Sequence, residues 1–416
     1  MDKSSLQKYL SGVISTTLQK SSGSRVRMGF SDGNKNVTSD FSLQGDRIAR
    51  ELVDEATTSG MSLEATGMQT QSLSGGNTAE VVGLVTLSAP FIFKMDNEVG
   101  KLANEGIAIR RIKGDTSISK IFRDAWPTVY AIRSEPPYAY LMEYFPHEKG
   151  WRSLEDRLYP SDDSASPDAA EATRLMNSSL DILFGGYESS VNERHHPSVI
   201  EDYVKRISER LAKTAIQDKR FESQVLTING QEVAPWKEYV SILEKNGSHL
   251  QEIAPPFTTV VHGDPNPGNV MLRKEGASAI ETKLIDPKEW VTGDYLFDVC
   301  KITHFLEGTG PAEKKINEKT AHANYGNNGA ATLTYTVCTP DWTHALVDAC
   351  ISRSREFADN YGDVHWEKRY QLGMAANLLG LPLNRLKNGK QSSALILYGE
   401  GLLWLKKFCD NIGANA

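Results

Sequence analysis

The run Thr258-Thr-Val-Val-His262-Gly263-Asp264-Pro-Asn-Pro-Gly-Asn269-Val-Met-Leu272 gathers several chemistry-bearing side chains into one turn. An apolar strand delivers His262 and Asp264 to a loop of Pro, Gly and Asn, and the chain returns in an apolar strand ending at Leu272. A second apolar run, Thr282-Lys283-Leu284-Ile285, delivers Asp286. Two carboxylates and a carboxamide therefore stand at strand ends beside tight turns. Such hard oxygen donors suit Mg²⁺, which takes one or two carboxylates plus substrate phosphates rather than an all-protein cage. Asp, Asn, Gly and Pro are also ordinary turn residues, but turn chemistry alone does not demand this ordered set.

Asp264 precedes Asn269 by the spacing of the H-x-D-x-x-x-x-N catalytic loop of kinases. In that loop the Asp receives the proton of the attacking hydroxyl and the Asn holds Mg²⁺. The whole set, His262-Gly263-Asp264 to Asn269, then Leu284-Ile285-Asp286, then Gly293-Asp294-Tyr295-Leu296-Phe297-Asp298, resembles the aminoglycoside phosphotransferase and choline kinase family. The match covers roughly residues 70 to 310 at motif level. The resemblance implies a protein-kinase-like fold and ATP-dependent phosphorylation of a small molecule, a sugar or an amino-alcohol being the acceptor classes in view. It implies Asp264 as base, Asn269 and Asp286 as Mg²⁺ ligands, and His262 and Asp298 as supports of the catalytic loop.

In that frame the nucleotide belongs to a small N-terminal lobe. Ser74, Gly75, Gly76 and Thr78 lie in a strand-turn-strand segment whose N–H groups and hydroxyls would meet phosphate oxygens; a simple Gly-Gly hairpin reads equally well. Lys94 ends the apolar strand Phe91-Ile92-Phe93, where an ammonium would reach the α- and β-phosphates. Its orienting carboxylate belongs on the following helix, roughly 97 to 111. Glu98, Leu102, Glu105 and Ile109 share one stripe there, and Glu105 is preferred over Glu98. Glu143 and Phe145 close the last strand and would offer backbone groups to adenine.

The elements that hold these residues follow from periodicity. Strand patterns from Val81 to Arg133 and Tyr138 to Phe145, broken by one helix and by Pro136-Pro137, read as a small mixed sheet. Helical patterns dominate after Trp151, apart from a strand-rich interruption from Thr258 to Asp286. The expected fold is α+β and two-lobed: residues 67–148 as the small nucleotide-binding lobe, 149–416 as a mainly helical catalytic and substrate lobe. Residues 1–66 form a helical extension in which Ile48, Leu52, Val53 and Ala56 make one apolar stripe. In the large lobe, Asp341, Trp342, Asp363, His365 and Trp366 read as helix caps and core anchors or as acceptor-lining groups, and Gly380 to Arg385 as a possible acceptor-facing break.

Composition bounds the partners. With 46 Lys+Arg against 53 Asp+Glu the net charge is -7, which disfavours nucleic acid or an anionic membrane as the main partner. The N-terminus lacks a signal-peptide core, no apolar run reaches the ~18 residues of a membrane span, and the four cysteines are scattered. These features fit a cytoplasmic protein with reduced thiols, whose partners are a nucleotide and a small-molecule acceptor. Two other readings compete. A protein kinase is disfavoured by the missing D-F-G and A-P-E signatures; a non-catalytic nucleotide-binding regulator would keep the fold without transfer.

Overall fold

The structure is a computed structural model that describes residues 37–58, 69–73, 81–86, 90–96, 100–160, 166–222, 226–276, 279–288, 292–314, 322–327 and 331–413. The chain separates into two compact units. The first comprises residues 1–116, 123–166 and 270–289; the second comprises 117–122, 167–269 and 290–416. The α+β class holds, with a sheet-based first unit and a mainly helical second one. The ranges differ from the expected lobes in four places: residues 270–289, the segment before residue 67 and residues 149–166 group with the first unit, and residues 117–122 with the second.

Helix α1 (Val37–Thr58) explains the second difference. Its stripe of Ile48, Ala49, Leu52, Val53 and Ala56 is buried against Phe91, Phe93, Met95, Ala131, Ala139 and Leu141 of the sheet. Burying each large aliphatic side chain contributes roughly 1.5–3 kcal/mol, so this stripe is part of the first unit's core.

Strands β1 (Gln69–Leu73), β2 (Val81–Thr86), β3 (Pro90–Asp96), β4 (Val129–Arg133) and β5 (Tyr138–Glu143) form a sheet in the order β1-β2-β3-β5-β4. Its pairings are all antiparallel, where a mixed sheet is expected from the sequence. Helix α2 (Lys101–Gly114) follows β3. It begins after Gly100, whose φ of +63° is left-handed, so the helix starts later than the expected residue 97. A side chain there would also meet the Tyr138 ring at 3.3 Å. A second sheet pairs β6 (Arg152–Ser153), β7 (Val270–Glu275) and β8 (Ala279–Leu284). β7 and β8 run antiparallel from Val270–Leu284 to Glu275–Ala279.

In the second unit, α3 (Ala169–Glu188) is capped by Asp168, which accepts the Glu171 N–H at 2.8 Å. A π-helical turn (Ile200–Val204) leads into α4 (Lys205–Gln217). Helices α5 (Trp236–Lys245), α6 (Tyr295–His304), α7 (Thr343–Tyr361), α8 (Trp366–Leu379), α9 (Pro382–Lys387) and α10 (Gln391–Gly413) complete the bundle. Tyr203, Leu211, Phe221, Leu243, Leu372, Leu402 and Phe408 are among its core. Every residue of α6 is buried.

This unit also holds a sheet where helices are expected, built from His322–Asn327, Ala331–Thr336, Leu226–Ile228 and Gln231–Val233 in that order. Asn229 (φ +47°) and Gly230 (φ +85°) turn the second hairpin, both in the left-handed region that tight hairpins require. Ala331–Thr336 pairs in parallel with Leu226–Ile228. Cys300, Cys338, Cys350 and Cys409 are free thiols. Among the described residues no helix is long and apolar enough to cross a membrane.

Candidate active-site residues

In the first unit β3, α2 and the end of β8 bring Lys94, Glu105 and Asp286 together. Lys94 lies on β3 opposite Tyr140 of β5 and is 6% exposed. Its ammonium hydrogen-bonds Asp286 Oδ1, lies 3.9 Å from Glu105 Oε2, and sits 5.4 Å from the centre of the Tyr140 ring. Burial alone would depress the Lys94 pKa, but Asp286, Tyr140 and Glu105 outweigh it and the net direction is upward. Glu105 is buried on α2, with Lys101 3.8 Å from Oε1 and the Tyr140 hydroxyl 3.4 Å from Oε2. Burial pushes its carboxyl up to about 7 against the pull of Lys94. Glu98 lies outside the described residues.

Asp286 follows the end of β8 and has φ +60°. A non-glycine residue in that region costs about 1–3 kcal/mol and persists where the surroundings over-determine it. The conformation coincides with the one partly exposed member of the trio, whose side chain is 40% exposed. At the end of β5, the Glu143 N–H donates to the Thr128 carbonyl at 2.9 Å and its carboxylate accepts the Thr128 N–H at 3.0 Å. The Glu143 N–H is therefore taken up by the sheet. Phe145 is buried, its ring 5.0 Å from that of Trp151. Ser74, Gly75, Gly76 and Thr78 lie outside the described residues.

In the second unit, Asp298 of α6 organises the His262–Asn269 loop. It is wholly buried. Oδ2 accepts the His262 N–H at 2.7 Å and the Tyr187 hydroxyl at 3.0 Å, while Oδ1 accepts the Gly263 N–H at 2.7 Å. Burial raises its carboxyl to about 7, and those three donors hold it down against that rise. Gly263 has φ +79°, a turn that only glycine adopts readily. The Asp264 N–H donates to His262 Nδ1 at 3.2 Å, which places His262 inside the scaffold. Asn269 Nδ2 donates to the Asp264 carbonyl at 2.9 Å, so its Oδ1 remains as the acceptor.

Sequence reasoning gave Lys301 no role at the catalytic loop. Its ammonium is 3.1 Å from Asp264 Oδ1 and the residue is 5% exposed. The available signal was helical spacing, since Lys301 follows Asp298 by three residues on α6 and shares its face. His304, the next turn on, is buried, and burial first, then Lys301, depresses its pKa to about 3.

The start of α6 is fixed by a buried ionic cluster. Arg369 Nε donates to Asp294 at 2.7 Å and its terminal nitrogens bond both oxygens of Asp363 at 2.5 and 2.8 Å. Asp294 also accepts the Leu296 N–H and the Tyr203 hydroxyl. Asp363, Trp342 and Trp366 are buried and serve as anchors rather than acceptor-lining groups. A cavity of about 210 Å³ is lined by Asp202, Thr292, Gly293, Asp294 and Phe297.

Asp286 in the first unit and Asn269 in the second each carry an oxygen of the kind Mg²⁺ uses, a carboxylate and an amide oxygen. Asn269 Oδ1 is left as acceptor by the Nδ2 bond. Among the described residues no three His, Cys, Asp or Glu side chains cluster as a ready-made metal site.

No family model matches the sequence, and no protein of curated function matches it. Solved structures do resemble it. A glucosamine kinase does so at 13% identity, covering 87% of this chain and 84% of that one, with a TM-score of 0.47. A thermostable mutant of an aminoglycoside phosphotransferase, in its apo form, gives 11% identity, 83% and 95% coverage and 0.48. A Plasmodium vivax ethanolamine kinase gives 12% identity, 93% and 98% coverage and 0.48.

Proposed function

We propose that this protein is an ATP-dependent phosphotransferase that acts on a hydroxyl of a small molecule. The observation that carries the reading is the trio of Lys94, Glu105 and Asp286. A buried ammonium held between two carboxylates, one of them on strained backbone, is poor economy for stability, and good preparation for a metal-bound polyphosphate. Lys94 would hold phosphate oxygens, with Glu105 fixing its position. Asp286 and Asn269 Oδ1 would hold Mg²⁺, which supplies charge neutralisation on the transferred group.

Asp264 would orient the acceptor hydroxyl and take its proton. The acceptor oxygen forms a bond to the γ-phosphorus, the bond from that phosphorus to the β–γ bridging oxygen breaks, and ADP departs. Asp298 and Lys301 would keep the base in place, so that positioning and charge carry most of the rate. The partners are then a nucleotide and a small acceptor.

The test begins with an open acceptor. The protein is incubated with Mg-ATP and a metabolite extract, and mass spectrometry seeks a species that gains one phosphate. Asp264→Ala should lower that transfer by about 10²–10⁴-fold, the usual contribution of a general base, with Mg-ATP affinity unchanged. Unchanged turnover in this variant would sink the assignment. Mg-ATP binding without transfer to anything would favour the regulatory alternative.

A further inference from the structure

We infer that Arg206 and Lys301 form an oxyanion subsite beside Asp264, so that the acceptor is a hydroxy compound bearing a carboxylate or phosphate. The inference rests on the phosphotransferase reading for the word acceptor, but the subsite stands on its own geometry. Phe297 links the two cations. The Arg206 guanidinium lies 5.6 Å from the centre of its ring and Lys301 Nζ lies 5.8 Å from it. Lys301 in turn reaches Asp264 at 3.1 Å.

Arg206 is the unusual member. Its Nε is buried with no hydrogen-bond partner among the described residues, and a Cβ added at Gly380 would come within 3.2 Å of its Nε and terminal nitrogen. Arg206 as a whole is only partly buried, but a buried N–H donor is normally hydrogen-bonded, because a buried polar group left unsatisfied is costly. Burial and Arg210 hold the Arg206 pKa below its ordinary value, with only Asp264 pulling the other way.

The neighbouring carboxylates do not supply the missing partner. Asp202, one turn earlier, is exposed and makes no ion pair with Arg206. Asp294 is committed to Arg369. Glu313 is committed to Arg385 and Lys390. Asp264 must meet the acceptor hydroxyl. An oxyanion from outside is the group this arrangement lacks.

The full-length protein is titrated calorimetrically with D-glycerate, gluconate and glycerol 3-phosphate, and with glycerol, glucose, choline and glucosamine as neutral and cationic controls. At least one anionic probe should bind saturably, lose tenfold or more in affinity in Arg206→Gln, and regain part of it in Arg206→Lys. Arg206→Gln strands no partner among the described residues, so it should melt no lower than wild type. Its Mg-ATP affinity should stay within twofold. No anionic binding, or equal binding in Arg206→Gln, overturns the inference. Loss of Mg-ATP affinity instead assigns the oxyanion to the nucleotide and overturns it as well.

Phosphoryl transfer separates the two claims. Transfer to neutral or cationic probes with the anionic ones inert removes the anionic acceptor and keeps the phosphotransferase. Anion binding that needs Arg206, with no transfer to any probe or extract component, removes the phosphotransferase and keeps the subsite.

Discussion

Asp298 and Gly263 are joined by a 2.7 Å hydrogen bond from the glycine N–H to a carboxylate with no exposure to solvent. The same carboxylate takes the His262 N–H and the Tyr187 hydroxyl. One turn along α6, Lys301 touches the Asp264 side chain. A single buried helix therefore grips the loop by its backbone and by its candidate base. Asp298→Ala leaves three buried donors without an acceptor, each costing about 1–3 kcal/mol. Chemical denaturation should show a loss of at least about 3 kcal/mol, the low end of that cost for three donors. Asp298→Asn keeps the shape and should cost less stability, yet it turns one acceptor into a donor facing a donor. Its kcat should fall tenfold or more while Mg-ATP affinity holds.

Lys301→Met tests the second grip. It removes the ammonium beside Asp264 but keeps most of the volume in a helix that is buried throughout. We expect kcat to drop at least tenfold in a phosphoryl-transfer assay, with the Mg-ATP dissociation constant within twofold of wild type. Lys301→Arg should recover part of the loss. A variant as active as wild type would remove Lys301 from the site.

The loop itself was legible because its residues have few other reasons to occur in that order. Gly263 supplies a positive φ, Pro and Asn punctuate the turn, and apolar strands flank it. What could not be read is what a residue touches across the chain. Ile48, Leu52, Val53 and Ala56 declare a helical stripe, but nothing local says that the stripe packs on β3 and β5. Lys301 looks like an ordinary helix lysine until Asp264 is placed beside it. Asp363 and Arg369 are far from Asp294 in sequence, so their pairing with it is invisible to periodicity. The hairpin at Asn229-Gly230 is different. Thr227-Ile228-Asn229-Gly230-Gln231-Glu232-Val233 carries a strong hairpin signal, overridden by the helical patterns on both sides.

The Arg369 cluster should behave as a buried ion pair does when one partner is removed. Arg369→Met leaves Asp294 and Asp363, both almost wholly buried, without their cation. The expected cost is about 3–5 kcal/mol, measured as a lower denaturant midpoint. Because Asp294 also caps α6, the loss should reach the loop that α6 holds, and phosphoryl transfer should fall at temperatures where the variant is still folded. Replacing all three residues with apolar ones of similar size should restore stability without restoring transfer.

Glu105 gives a pH signature. Burial raises its carboxyl from 4.5 to about 7 in the folded protein, so the folded state holds the proton more tightly than the unfolded chain. The corresponding stability is fully present below pH 4.5 and is lost as pH rises through 7. At about 1.36 kcal/mol per unit, the loss is on the order of 3 kcal/mol. Glu105→Gln cannot ionise and mimics the protonated form. The two proteins should therefore unfold at similar denaturant concentrations near pH 4.5, and the variant should gain progressively on wild type up to about pH 7.5, where the difference levels off. Parallel curves across that range would show that the Lys94 ammonium holds the carboxylate ionised at every pH. Nucleotide binding should move the other way. Above pH 7 the wild-type carboxylate fixes Lys94 for phosphate and the variant cannot, so Mg-ATP affinity in Glu105→Gln should be about tenfold weaker despite its greater stability.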